Sequence, residues 1–183
     1  MHLSRLFLAS LVLMGVSGAS AADRIWHIKA FHPEGRLIDI KALDKAGNRY
    51  DVKAFETDGN LHVMDVKCLM GDKRLPVKVL VSDDKYAPVK AIGEDGTIYD
   101  IKGLPPEGGR LDVKGVRRAG NIVDIKVVAP DGSFWGVKAI SPQGWVHDVK
   151  GIKMTPDRVE TTVHGVKIHA HIKALPPVTG GAY

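Results

Sequence analysis

Three histidines come closest to a chemical site by residue type and spacing. His169 and His171 alternate along one predicted strand, so both side chains point to the same face, and His27 holds the equivalent position near the start of the chain. Clustered imidazoles bind zinc, copper or nickel. However, Lys29 and Lys173 stand beside them, and a neighbouring cation disfavours a metal ion. The sequence therefore predicts no metal site, with histidine replacing aspartate where a strand lacks a charged partner.

The sequence contains no pattern that is typical of a catalytic centre. It has no G-x-S-x-G, no H-E-x-x-H, no glycine-rich phosphate loop and no C-x-x-C. Cys68 is the only cysteine, and it replaces a small core residue, which indicates a buried and unreactive thiol. The sequence thus favours a non-enzymatic protein with no catalytic residue and no cofactor. A metal-binding protein or an enzyme that uses the terminal histidines is the alternative.

Five aromatic residues fall into two groups. Trp26, Tyr50, Tyr99 and Trp135 occupy one recurring position that is predicted to face the core, and ordinary packing explains them. A carbohydrate-stacking platform is the alternative interpretation of these four. Trp145 lies outside the pattern, just after a predicted turn, and is therefore the better candidate for an exposed aromatic contact.

The elements that position these residues come from a unit of roughly twelve residues that recurs along the chain. Residues 99–104 form one clear copy: an aromatic residue, an acid, a β-branched aliphatic, a lysine, a small residue and a large aliphatic. In a strand, Asp100 and Lys102 would share one face and Ile101 would lie on the other. That second face is apolar or small in nearly every copy and predicts the core. The central aliphatic residues of the copies are Ile28, Ile40, Val52, Val66, Val77, Val89, Ile101, Val113, Ile125, Val137, Val149 and Ile172.

Glycine marks the turns between the units. A three-residue hairpin loop usually ends in a left-handed residue, which glycine accepts at little cost. The sequence therefore predicts an all-β fold, an antiparallel meander of about twelve short strands that closes as a sandwich or a barrel. Glycine takes the third loop position at Gly35, Gly47, Gly59, Gly96, Gly108, Gly120, Gly132 and Gly144.

The same hairpin register predicts how the charges meet. Lys102 would face Asp112 and Asp100 would face Lys114, and each following hairpin would repeat this alternation. Opposite charges across a strand pair stabilise it by about 0.2–1 kcal/mol, whereas like charges directly opposed are destabilising. A parallel solenoid would stack lysine on lysine, so antiparallel pairing is favoured.

The ends of the chain predict export. Residues 1–22 read as a signal peptide, with Arg5, an apolar run and small residues at the cleavage site. Residues 23–175 form a single β-repeat domain, and residues 176–183 form a loose Pro/Gly-rich tail. The mature chain contains no predicted transmembrane helix. We therefore expect a periplasmic or extracellular protein.

The charge balance says little about partners. The formal net charge of +5 is mild, and the lysines are predicted to face aspartates, which argues against a nucleic-acid surface. A protein or a glycan on the cell envelope fits better as a partner. An outer-membrane β-barrel, with an apolar outer face and an Asp/Lys-lined interior, is a further alternative, although these strands are shorter than the 9–11 residues that a bilayer needs.

A resemblance supports the same interpretation. The run of H-I-K-A, D-V-K-A and D-I-K-G units, closing on A-H-I-K-A-L-P, resembles an uncharacterised family of small exported bacterial repeat proteins. The resemblance implies export and the repeat fold, and it supplies no activity, ligand or site residue. The resulting expectation is an exported bacterial β-repeat protein that acts as a structural or binding module.

Overall fold

The computed structural model describes residues 24–57, 60–153 and 162–177. The predicted signal peptide lies outside these residues, as does most of the predicted tail. Within them the chain forms thirteen antiparallel strands and no helix, which confirms the predicted fold class. The strands are β1 (Arg24–Phe31), β2 (Leu37–Leu43), β3 (Arg49–Thr57), β4 (Asn60–Met70), β5 (Lys73–Leu80), β6 (Ala87–Ile92), β7 (Ile98–Leu104), β8 (Leu111–Ala119), β9 (Ile122–Val128), β10 (Phe134–Ile140), β11 (Val146–Ile152), β12 (Thr162–Val163) and β13 (Val166–Leu175).

Alternation places the aliphatic face inside and the Asp/Lys face outside. All twelve central aliphatic residues of the repeat retain only 2–4% of their surface exposed. The positions two residues before and two residues after each of them face inward as well, so each strand turns three positions toward one core. No described helix has the length and hydropathy needed to cross a membrane.

Strands associate in groups of three that we call triads. In the first triad, one edge of β2 pairs with β1 through its first half, at Leu37–Asp39, and with β3 through its second half, at Lys41–Leu43. β3 pairs with β1 in turn, so each strand shares half of one edge with each of the other two. The central residue, such as Ile40, lies where the partner changes. The four triads are β1–β2–β3, β4–β5–β13, β6–β7–β8 and β9–β10–β11.

The opposite edge of every triad strand pairs with a strand of another triad. Each pair of triads is joined by a single such ladder, and at the middle of each ladder two lysines stand opposite one another. Among the described residues, twelve strands thus have partners on both edges, and only the short β12 is paired with β13 alone. The ladders are β1–β10, β2–β7, β3–β4, β5–β6, β8–β9 and β11–β13.

The turn chemistry follows the prediction at most loops. Seven of the eight predicted loop glycines have positive φ, and the eighth, Gly59, lies outside the described residues. The β8–β9 hairpin differs, because Ala119 pairs with Ile122 and leaves a two-residue turn. As a result Val113 faces Val127, whereas the repeat pattern predicted Ile125.

Only part of the predicted ion-pair register is correct. In the β8–β9 hairpin Asp112 stands opposite Val128 and Lys114 opposite Lys126, whereas the repeat pattern predicted Lys126 and Asp124. Lys102 donates to Asp112 as expected, but Asp100 accepts from Lys90 and not from Lys114. The reason is that neighbouring strands share only half an edge before they diverge to other partners. Within the described part of the chain, seven lysines donate to an aspartate of their own triad in this way: Lys29, Lys41, Lys90, Lys102, Lys138, Lys150 and Lys173.

These pairs make the opposed lysines tolerable. Like charges face each other across every ladder, for example Lys41 and Lys102, which the repeat pattern did not predict. Each of these two lysines donates to a carboxylate of its own triad, Asp51 and Asp112 respectively. The hydrogen bond from lysine lowers the pKa of both carboxyl groups. The lysine charge is therefore balanced within the triad, and the repulsion across the ladder is weakened.

A double-mutant cycle tests the half-edge pairing. Lys102→Met and Asp112→Asn should show a coupling free energy of about 0.2–1 kcal/mol, because these side chains pair. Lys114→Met and Asp100→Asn should be additive, because Asp100 pairs with Lys90. Chemical denaturation of the single and double variants measures both couplings. A larger coupling for the second pair would contradict the triad arrangement.

Candidate functional site

A cleft of about 260 Å³ is lined by the start of β1, the end of β3 and the β10–β11 loop. Its lining combines two charged side chains, an amide and two indole rings. Trp26 and Glu56 form the buried part of this lining, and Arg24 and the two loop residues form its exposed rim. The lining residues are Arg24, Trp26, Glu56, Gln143 and Trp145.

The strand wall comes from the first triad. Arg24 pairs with Glu56, and Trp26 pairs with Ala54, in the β1–β3 ladder. Because β3 continues to Thr57, Glu56 extends the inward-facing row of Val52 and Ala54 beyond the end of the repeat unit. A carboxylate thus stands where the preceding inward residues are apolar.

Glu56 is buried with an unused acceptor. Only 7% of its surface is exposed, and its Oε2 has no hydrogen-bond partner in the described part of the chain. Burying a polar atom without a partner costs roughly 1–3 kcal/mol. Because Glu56 lines the cleft, a change of its side-chain rotamer would bring this acceptor to a donor that enters the cleft.

Trp26 supplies the complementary donor. Its ring is 1% exposed and packs against His147, with ring centroids 4.5 Å apart and planes tilted by 45°. Its Nε1 has no acceptor among residues 24–57, 60–153 and 162–177. An indole N–H can only donate. Two lining residues on neighbouring strands thus carry one unused donor and one unused acceptor, both buried beneath the surface of the cleft.

The loop between β10 and β11 holds Trp145 in place. The Trp145 N–H donates to Ser141 Oγ at 2.9 Å, and the Ser141 N–H donates to the Trp145 carbonyl at 2.9 Å. Gly144 has a φ of 88°, which glycine adopts readily, and its N–H donates to the Ser141 carbonyl at 3.0 Å. Trp145 is nevertheless 59% exposed, as the sequence predicted. A fixed backbone thus presents a wide aromatic ring at the mouth of the cleft.

The predicted histidines do not line this cleft, and His27 lies on a different strand from the other two. His27 belongs to β1 of the first triad, whereas His169 and His171 belong to β13, which does not pair with β1. His27 Nδ1 lies 2.9 Å from Lys53 Nζ, and desolvation together with the charges of Lys53 and Lys29 lowers the pKa of His27. The described residues contain no group of three His, Cys, Asp or Glu side chains that could hold a metal ion.

The other predicted candidates are packed into the core. Tyr50 and Tyr99 meet edge to face, with ring centroids 5.9 Å apart, and Trp135 meets His32 at 4.4 Å. Trp26 alone of the four repeated aromatics lines the cleft. Cys68 is fully buried, and desolvation raises its pKa to about 12. Its thiol therefore stays protonated and unreactive at neutral pH.

Sequence reasoning missed Arg24, Glu56 and Gln143. A signal for Glu56 was present, because the spacing between Val52 and Val66 is longer than in the other copies and an acid occupies an inward position there. No comparable signal marks Arg24 or Gln143, since polar residues at strand starts and in turns are common.

Comparison with known proteins places the chain in a family. A model described as a family of unknown function, DUF7486, matches residues 22–175. The chain belongs to the DUF7486 family. No curated protein and no solved structure matches it. For this DUF7486 protein, inferences about function therefore rest on the cleft and its chemistry.

Proposed function

We propose that the protein is an exported, non-enzymatic binding module that holds a small polar ligand in the Glu56–Trp145 cleft. The observation that carries the proposal is the pair of buried, unsatisfied groups, Glu56 Oε2 and Trp26 Nε1, on two residues that line one cleft together with an exposed indole. Buried polar atoms normally have partners. A ligand that hydrogen-bonds to both atoms recovers the free energy that is lost while these hydrogen bonds are missing.

The lining of the cleft suits binding better than catalysis. Glu56 is its only carboxylate, and no histidine, cysteine or hydroxyl side chain is among its five lining residues. Acid–base hydrolysis normally needs a second titratable group, and covalent catalysis needs a nucleophile. The closed sheet behind the cleft gives it a rigid wall, which limits the entropy lost on binding.

Export is supported by residues 1–22, whose charge, apolar run and small residues match a secretory signal. To test export, the full chain is expressed in a bacterium, the cells are fractionated, and the N-terminus of the protein is sequenced. We expect a periplasmic or secreted protein that begins near Ala22 or Asp23. Cytoplasmic retention with Met1 intact would contradict export and would leave the proposed cleft to be judged separately.

Thermal unfolding tests the binding function. The protein is heated with millimolar sugars, amino acids, amines and nucleosides, one class at a time. At least one class should raise the melting temperature by mass action, and the rise should disappear in Trp145→Ala. No shift with any class, or an equal shift in the variant, would contradict ligand binding in this cleft.

A further inference from the structure

We infer that the ligand of the cleft is a neutral sugar, a pyranose ring that stacks on Trp145 and hydrogen-bonds to Glu56 and Trp26. This inference rests on the proposed binding function and names its ligand class. Three independent properties of the lining lead to it: the kinds of hydrogen-bonding group left unsatisfied, the charge balance, and the shape of the exposed surface.

The hydrogen-bonding groups select a hydroxyl. Glu56 Oε2 requires a donor and Trp26 Nε1 requires an acceptor. An ammonium can only donate and a carboxylate can only accept, so each satisfies one of the two groups. A hydroxyl does both at once, and adjacent hydroxyls on a ring offer several such groups in fixed geometry. A polyhydroxylated ligand therefore matches both unsatisfied atoms.

The charges select a neutral ligand. The lining contains one cation, Arg24, and one anion, Glu56, on paired strand positions. A ligand with one charge would be attracted by one of these groups and repelled by the other, and the repulsion increases in a partly desolvated cleft. A ligand without net charge, such as a neutral sugar or a zwitterionic amino acid, avoids this net repulsion, and the adjacent hydroxyls and apolar face of a pyranose favour the sugar. It can also accept from the guanidinium and donate to the carboxylate through charge-assisted hydrogen bonds.

The exposed ring selects a ligand with one apolar face. Trp145 is a flat apolar surface at the mouth of the cleft, and its backbone is held by Ser141. A pyranose presents C–H groups on one face and hydroxyls around its edge, so it can cover the indole while its edge reaches Glu56. The volume of about 260 Å³ is slightly smaller than the roughly 300–1,000 Å³ of drug-sized sites. One sugar ring is a ligand of suitable size.

Titration calorimetry and tryptophan fluorescence provide the test. The purified protein is titrated with glucose, galactose, mannose and N-acetylglucosamine and with short oligomers of each. At least one should bind, and Trp145→Ala and Glu56→Gln should each weaken its binding by about tenfold to a hundredfold. The uronic acid and the amino sugar of the bound hexose should bind less tightly than the neutral form, because Glu56 repels the first and Arg24 the second.

Matched variants separate the site from general effects. Phe134→Ala removes another exposed aromatic ring, outside the cleft, and should leave sugar binding unchanged. If Glu56→Gln does not fold, Gln143→Ala on the exposed loop takes its place, and circular dichroism checks each variant. Absence of binding by every sugar would overturn the sugar inference. If an amino acid or amine then binds in a Trp145-dependent way, the binding module stands with another ligand class.

Discussion

Ile28→Ala and Ile101→Ala should each lower the free energy of unfolding by about 2–5 kcal/mol, and the two losses should agree within about 1 kcal/mol. Ile28 lies in the first strand and Ile101 in the seventh, yet both are 4% exposed and both lie where a strand changes partner within its triad. In an open meander the first strand would be an edge, and truncation there would cost less. Equal losses of unfolding free energy would therefore indicate that the first strand is not an exposed edge of the sheet.

Urea denaturation followed by circular dichroism measures the free energy of unfolding of each variant. Ile25→Ala is the control, because Ile25 is in the same strand but is 38% exposed, and it should cost less than about 1 kcal/mol. If the alanine variants are too unstable to measure, Ile28→Val and Ile101→Val should each cost about 0.5–1.5 kcal/mol. A loss at Ile28 no larger than that at Ile25 would mean that the first strand is not enclosed.

Gly151→Val should destabilise the protein by about 3 kcal/mol or prevent folding. A Cβ atom added at Gly151 would lie 3.0 Å from Val123 Cβ, 3.1 Å from Val79 Cγ2 and 3.3 Å from Ala170 Cβ. Two of these are branched side chains that are already fully buried, so they have little room to move. Overpacking of this kind typically costs about 1–3 kcal/mol, and the additional methyl groups of valine place the effect at the upper end.

Gly136→Val is the matched control. Gly136 is also a strand glycine, but the nearest atom to its added Cβ is the flexible Lys138 Cε at 3.5 Å. The change should be neutral or slightly stabilising, since glycine weakens a strand. Thermal and urea unfolding of both variants decide the comparison. Equal tolerance at the two positions would show that the core around Val123 is less tightly packed than the structure indicates.

The repeat predicted the local structure well because the local rules are strong. Alternation identified the inward-facing positions within the repeat unit, and glycine identified most of the turns. The partners of each strand could not be predicted in the same way. The pairing of Lys102 with Asp112 is decided by one short hairpin, whereas the pairing of β2 with β7 joins segments far apart in the chain. Many such long-range pairings satisfy the same twelve-residue pattern.

The repeat pattern also does not predict which core residues are neighbours or how their sizes match. The repeat makes Gly151 and Val79 equivalent, which suggests that valine would be accepted at either. In the structure the two positions touch, and the larger residue at one is compensated by glycine at the other.

The cleft was harder still to predict. Glu56 lies where the repeat lengthens, but its approach to Trp145 depends on β1 pairing with both β3 and β10.

Four triads joined in pairs by six ladders have the connectivity of a tetrahedron, with a triad at each corner and a ladder along each edge. The rotations of a tetrahedron number twelve, so twelve identical units can occupy twelve equivalent places around one centre. A stacked repeat array can gain or lose a unit at its end with little consequence. Here a chain of only eleven units would leave three strands each without one partner, and a thirteenth unit would have no equivalent place. β12, the strand beyond this number, indeed lies outside the triads and ladders, paired with β13 alone.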